Sequence, residues 1–264
     1  MQAVRISRAP ADMHLSDAKA RDLVAAIKWY HAFELRPGLN TPGVSEFNAK
    51  DAANALKIPA DLRGKRALDV GAWDGPMTFE LERRGAEAFA LDVQDPTRVG
   101  FDVARRVLGS RATHYEGSVY QLPCEELHDL DLIVARGVYY HLKHPILAFE
   151  RLAAALKMGG TLHFEGEGLL NYAEDLDGKP VNIDFAALNK SNAPLCLVYP
   201  NSYKGASNWF IPTPAALMVF MRAAGLDVVE MNAWTSPGKT PGQRLYGYAV
   251  KVSETSELLE HPLY

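Results

Sequence analysis

The run Asp69-Val70-Gly71-Ala72-Trp73-Asp74-Gly75 has residue types and spacing that suit ligand chemistry. It closes a short apolar segment, RALDV, and stands just before Pro76, a residue suited to a first helical turn. Glycines at such a strand-to-helix turn let backbone approach a ligand closely. The third glycine of G-x-G-x-x-G is missing, so a pyrophosphate would lose part of its cradle, which disfavours an NAD-dependent oxidoreductase. Asp69 at the strand end suits a cationic ligand instead. Asp92 ends the second apolar run, about twenty residues beyond Gly71, where a carboxylate can accept from both hydroxyls of a ribose. An acid for a cation, a glycine turn and a ribose-binding carboxylate together fit S-adenosylmethionine, a nucleoside with an amino-acid tail and a sulfonium.

Methyl transfer from a sulfonium is an in-line displacement at carbon, which asks mainly for alignment of donor and acceptor. No metal or covalent intermediate is required. Cys124 and Cys196 lie far apart with no CxxC or Cys/His spacing, so no metal site is expected. For an oxygen acceptor a general base helps, and histidine has the ordinary pKa nearest neutrality. His141, just past the fourth apolar run, is the candidate base, with a structural histidine bonded to backbone as the competing reading. Glu165 and Glu167 close the fifth run and could orient an amine or hydroxyl, although a solvated loop carboxylate is the plainer role. Tyr199, Tyr203 and Trp209 are candidate acceptor contacts, against the usual use of aromatics as core.

These residues need a scaffold, and the apolar periodicity supplies one. RALDVGA, AEAFALDV, ATHYEGS, DLDLIVARGV and TLHFEGEG read as strands, separated by helical segments that end on Gly85, Gly109 and Gly159-Gly160. Strand and helix alternating at this spacing predict βαβ units and a mostly parallel sheet. Ser16 is a plausible cap for a helix over 17–31. The turn-rich segment ELRPGLNTPGVSEF follows, and residues 1–60 read as a helical lid or extension on a domain over 61–264. Residues 168–210 break the rhythm and read as an inserted cap over the acceptor. Thr213-Pro214 opens a further helix, and LDVVEMNAW with RLYGYAVKV predicts a terminal antiparallel hairpin.

DVGAWDG, LDV, EGSVYQLP, DLDLIVARGVYYHL and LKMGGTL occur in the order of the motifs of the class I S-adenosylmethionine-dependent methyltransferases. The chain resembles that family over residues 65–165, and the tail over 207–251 also fits. The resemblance implies an α/β, Rossmann-like sheet of seven strands. It implies that Asp69, Gly71 and Gly75 contact the methionine part of the cofactor and that Asp92, followed by Val93, holds the ribose. By the same resemblance Gly117, Ser118 and Val119 border the adenine, and Arg136 to Val138 line the edge nearest the sulfonium. Trp73 stands where the family often has glycine, and would pack over the amino-acid end or narrow the pocket.

GVYYHLKHP together with NWFIPTPAALMVFMRAAGL is similar to a narrower group that includes the tRNA wobble-uridine carboxymethyltransferases, whose donor is carboxy-S-adenosylmethionine. That likeness implies that Tyr140 helps hold the donor's extra carboxylate. It also matches Gln243-Arg244, whose arginine would pair with the carboxylate in a bidentate contact. The group's donor-binding lysine has no match in PGLNTPGVSEF, which favours plain S-adenosylmethionine over the carboxylated donor.

Composition narrows the acceptor. The chain is 48% hydrophobic, enough for a sizeable core, and its net charge is −4. Residues 1–36 carry only a mild basic excess, so tRNA is the disfavoured partner and a small molecule the preferred one. The N-terminus has no apolar signal segment and no run is long enough to span a membrane, which predicts a cytoplasmic protein without a membrane partner. A silent S-adenosylmethionine-binding or partner-binding domain is the rival of a different class, and oligomeric state is not encoded in these patterns.

Overall fold

The computed structural model describes residues 4–9 and 15–254. The chain divides into two compact units, residues 1–134 and 135–264, with the boundary inside one strand.

The first unit opens with strand β1 (Arg5–Ser7) and helix α1 (Asp17–Ala25). Ser16 caps α1 as expected, its hydroxyl accepting from Lys19 N at 3.3 Å. The helix ends at Ala25, short of residue 31, because the residues beyond it find tertiary partners. The Trp29 indole N–H donates to the Val24 carbonyl at 2.8 Å, and the backbone N–H groups of Tyr30 and His31 donate to the Asp74 carboxylate. Two short ladders follow: His31–Ala32 beside Ser45–Glu46, and Glu34–Arg36 beside Leu39–Asn40. Helix α2 (Ala49–Ala55), capped by Asn48, completes the N-terminal segment.

The expected alternation then appears: β2 (Arg66–Val70), α3 (Pro76–Arg83), β3 (Glu87–Asp92), α4 (Phe101–Leu108), β4 (Thr113–Glu116) and β5 (Leu130–Arg136). β3 pairs in parallel with both β2 and β4, and the strand order is β1-β4-β3-β2-β5. Leu68 and Leu91 are buried, as parallel strands covered by helices require. The α/β, mostly parallel, Rossmann-like architecture is therefore the one expected. β1, antiparallel along β4, is an edge strand beyond the seven anticipated.

In the second unit, α5 (Pro145–Ala155) leads directly into β6 (Leu156–Glu167), ahead of the glycine stop expected at Gly159-Gly160. The stretch 168–210 contains α6 (Phe185–Lys190) and β7 (Cys196–Val198), the latter antiparallel to β8 (Phe210–Pro212). Thr213 caps α7 (Pro214–Ala223), its hydroxyl accepting from Ala216 N. β9 (Leu226–Thr235) and β10 (Gln243–Lys251) form the anticipated hairpin, and β10 also pairs antiparallel with β6. Among the described residues no helix is long and apolar enough to cross a membrane.

One buried side chain makes the fold of the first unit sensitive to acid. His114 on β4 is fully buried, its ring 4.7 Å from that of Phe101, and among the described residues neither ring nitrogen has a hydrogen-bond partner. Burial, reinforced by the nearby Arg105 charge, pushes its pKa down to about 4. In the unfolded chain a histidine takes its proton near pH 6.5. The unfolded state therefore binds the extra proton between those values, and the His114 contribution to stability falls as pH drops from about 6.5 towards 4, by an amount on the order of 3 kcal/mol. Buried Asp69, with its pKa raised to about 6, acts in the opposite sense over this range, so the readout is the difference between proteins: between pH 7 and pH 4.5 in urea unfolding, wild type is expected to change less favourably than His114→Leu by on the order of 3 kcal/mol. An equal change in the variant would assign the effect elsewhere.

Candidate active site

β2 ends at Val70, and the chain reverses into α3 through a turn of unusual backbone. Gly71, Trp73 and Gly75 all have positive φ, at +75°, +49° and +89°. The first and last values suit glycine, but Trp73 is held in a conformation that side chains with a Cβ adopt rarely. What holds it is Asp92, at the end of β3. One Asp92 oxygen accepts from Trp73 N at 2.8 Å and the other from Gln94 N at 2.8 Å. The parallel register sets Val70 beside Leu91, so the glycine turn and Asp92 leave the same edge of the sheet. Gly71 N also donates to the Leu91 carbonyl at 2.8 Å.

Asp69, next to last in β2, is buried, its carboxylate accepting from the Thr78 hydroxyl at 2.7 Å. Burial is the main cause that pushes its pKa up to about 6, and the Asp92 charge adds to it. Asp92 is raised as well, again chiefly by burial, against the hydrogen bonds from Trp73 and Gln94. Val93, next to Asp92, is exposed. Beyond β4, Gly117 N donates to the Asp92 carbonyl at 2.8 Å, Ser118 caps a short turn by accepting from Tyr120 N, and Val119 is buried. Asp69, Gly71, Trp73, Gly75, Asp92, Val93, Gly117, Ser118 and Val119 thus gather at the C-terminal ends of β2, β3 and β4, where open α/β sheets bind ligands. Buried acids and close-approach backbone at this edge fit a cationic nucleoside donor.

Asp74 joins the site as well, although the sequence pattern does not mark it out. It is fully buried inside the turn, its Oδ2 accepts from Tyr30 N at 3.1 Å and His31 N at 2.8 Å, and its Oδ1 meets His31 Nδ1 at 2.5 Å. The signal was present as an acid beside the glycines, but its partners lie more than forty residues away.

The second unit holds a separate cluster. β6 and β10 run antiparallel with Glu167 opposite Arg244 and Glu165 opposite Tyr246, which brings two carboxylates and one guanidinium together. Arg244 Nε donates to Glu165, Arg244 Nη1 lies 3.4 Å from Glu167, and both Nη atoms lie 3.2 Å from the Tyr140 hydroxyl. The guanidinium also sits 5.1 Å from the centre of the Tyr140 ring. Burial disfavours the Arg244 charge, but the Glu165 hydrogen bond and charge outweigh it and raise the pKa. Burial likewise raises the Tyr140 phenol, which stays protonated at neutral pH. Arg136 Nε lies 3.5 Å from the other Glu165 oxygen. Glu165 and Glu167 are buried, not the solvated loop carboxylates expected, because the β10 pairing covers them.

Lys204, unremarked in the sequence, donates to Glu167 at 2.5 Å and to the Pro241 carbonyl at 2.6 Å. Tyr203 is fully buried, its hydroxyl donating to the Tyr172 carbonyl, and the Tyr199 hydroxyl donates to the Glu174 carbonyl at 2.7 Å. Both serve the interior of the 168–210 stretch. Trp209 N donates to the Tyr140 carbonyl at 2.7 Å, and Lys143 Nζ lies 4.7 Å from the Trp209 ring centre. His141 meets the Ser207 carbonyl through Nδ1 at 2.7 Å. A carbonyl only accepts, so Nδ1 carries the hydrogen and Nε2 keeps its lone pair. Partial desolvation holds this histidine below its ordinary pKa.

Residues 44–231 match a family model described as a methyltransferase domain. The tRNA U34 carboxymethyltransferase of Pseudomonas paraeruginosa is 32% identical over 168 residues, covering 62% of this chain and 46% of that one. The chain thus spans about half the length of the curated relatives of this kind that it matches. The ubiquinone biosynthesis O-methyltransferase of Hahella chejuensis is 24% identical over 198 residues, covering 72% of this chain and 77% of that one. Among solved structures, the Burkholderia thailandensis 1,6-didemethyltoxoflavin-N1-methyltransferase, bound to 1,6-didemethyltoxoflavin and S-adenosylhomocysteine, has a TM-score of 0.53 at 16% identity. It covers 83% of this chain and 78% of that one. The fold is shared and the family model covers more than half of the chain: this chain belongs to the methyltransferase-domain family.

Proposed function

We propose that the chain transfers a methyl group from S-adenosylmethionine to a small-molecule acceptor, by O- or N-methylation. The observation that carries the donor assignment is the buried Asp92 carboxylate, which closes the Gly71–Gly75 turn and retains lone pairs for a ribose diol. Asp69, two residues before Gly71, supplies negative charge for the donor's cationic end. The small-molecule acceptor is supported by the acidic net charge of −4 and by a relative, matched over most of its length, whose name is that of a ubiquinone-biosynthesis O-methyltransferase.

Plain S-adenosylmethionine is the preferred donor because the lysine expected to hold a carboxylated donor has no match in PGLNTPGVSEF. The Arg244 guanidinium is also engaged by Glu165, Glu167 and Tyr140. A second reading, a tRNA wobble-uridine (carboxy)methyltransferase, is favoured by the Tyr140–Arg244 contact and by the 32% identity to the Pseudomonas paraeruginosa enzyme. Mass spectrometry of ligand retained on purification separates the two donors. S-adenosylmethionine or S-adenosylhomocysteine is the expected finding, and the carboxylated form would select the second reading.

His141, with Nε2 as a lone-pair acceptor, is the proton acceptor in this proposal. His141→Gln is expected to lower kcat about a hundredfold while S-adenosylhomocysteine affinity stays within about threefold. Equal kcat would leave the residue a purely structural anchor for Ser207.

Donor binding is measurable without knowing the acceptor. Asp92→Asn is expected to weaken S-adenosylhomocysteine by about tenfold to a hundredfold in calorimetry, the range for losing hydrogen bonds to a charged group. Wild-type affinity is expected to fall as pH drops through about 6, where Asp69 gains its proton and loses the charge that attracts a cation. Asp69→Asn should flatten that dependence. A profile unchanged by the substitution would remove Asp69 from the donor site.

A further inference from the structure

The N-terminal segment carries a histidine held more tightly than a connecting loop needs. His31 N donates to Asp74 Oδ2 and His31 Nδ1 meets Asp74 Oδ1, so both carboxylate oxygens are engaged by one residue. The His31 carbonyl accepts from the Thr41 hydroxyl at 2.7 Å. Gly43 packs so closely that a Cβ there would overlap the His31 carbonyl carbon. The Thr41-Pro42-Gly43 turn therefore acts as a clamp on His31. The flanking rings extend the contact: Tyr30 lies 5.6 Å from Trp73, and Trp29 packs on Gly100, where a Cβ would come within 2.7 Å of its ring.

Asp74 sits between Trp73 and Gly75, both at positive φ. An unpaired carboxylate at 0% exposure would be costly, and its partners are two N–H groups and one imidazole from a single dipeptide. We propose that His31 is a positioning residue of the donor site: the Tyr30-His31 segment, clamped by Thr41 and Gly43, locks Asp74 and so fixes the glycine turn in the backbone that receives the donor. On this view residues 29–43 belong to the donor half of the reaction and are not an acceptor lid. The inference rests on the donor reading above, and its test separates the two.

The test is calorimetry of the full chain with S-adenosylhomocysteine, at a temperature well below the unfolding midpoint of every variant. His31→Leu keeps the side chain's bulk but loses the bond to Asp74, and should weaken binding about tenfold. His31→Asn, whose amide can still donate to Asp74, should recover affinity to within about threefold of wild type. A general loss of packing would not produce that rescue. In the wild type, S-adenosylhomocysteine should slow amide exchange at residues 29–43, a readout that stands even if His31→Leu does not fold. Wild-type affinity in folded His31→Leu, or unaltered exchange at 29–43 on binding, overturns the inference and leaves the donor reading intact. No binding by the wild type would overturn the donor reading itself.

Discussion

Three carboxylates, Asp69, Asp74 and Asp92, are buried around one backbone turn in the first unit. Placing like charges close together in a poorly solvated region is unfavourable unless each finds donors. The turn answers this constraint locally. Asp92 takes the Trp73 and Gln94 amides, Asp69 takes the Thr78 hydroxyl, and Asp74 takes His31 with two amides. The residual repulsion is visible in Asp69, which Asp92 helps to raise, and in Asp92, whose upward shift includes a contribution from Asp74. A cationic donor suits such an edge, and the positive-φ residues bring backbone within reach of it.

The cluster in the second unit solves the opposite problem. Arg244, reached through the β6–β10 pairing, meets Glu165 and Glu167 together with Arg136 and Lys204, so two carboxylates are shared among three cations. The Tyr140 hydroxyl lies beside the Arg244 guanidinium and the His141 imidazole keeps one nitrogen unprotonated.

Much of the first cluster was legible in the sequence because its logic is local. A strand, a glycine turn, a helix and a second strand bring Asp69, Gly71, Gly75 and Asp92 together within a single βαβ unit, and periodicity marks each element. The hairpin and the caps Ser16 and Thr213 were legible for the same reason. The Asp74–His31 pair was not, since 43 positions separate the two, and Asp74, although it stands inside the glycine motif, does not reveal its partner. The overlong reading of α1 has that origin too, because amides that would extend the helix go to Asp74. Glu165 and Glu167 look like solvated strand-end acids until β10 is laid beside them, 79 residues from Glu165 to Arg244.

The central claim is that the Gly71–Gly75 turn and Asp92 form the seat of S-adenosylmethionine. A crystal structure of the full chain with S-adenosylhomocysteine tests it most directly. The ribose hydroxyls should lie within hydrogen-bond distance of the Asp92 carboxylate, with the amino-acid end against the turn at Asp69 to Gly75. Ligand density elsewhere, or a ribose with no contact to Asp92, would contradict the account.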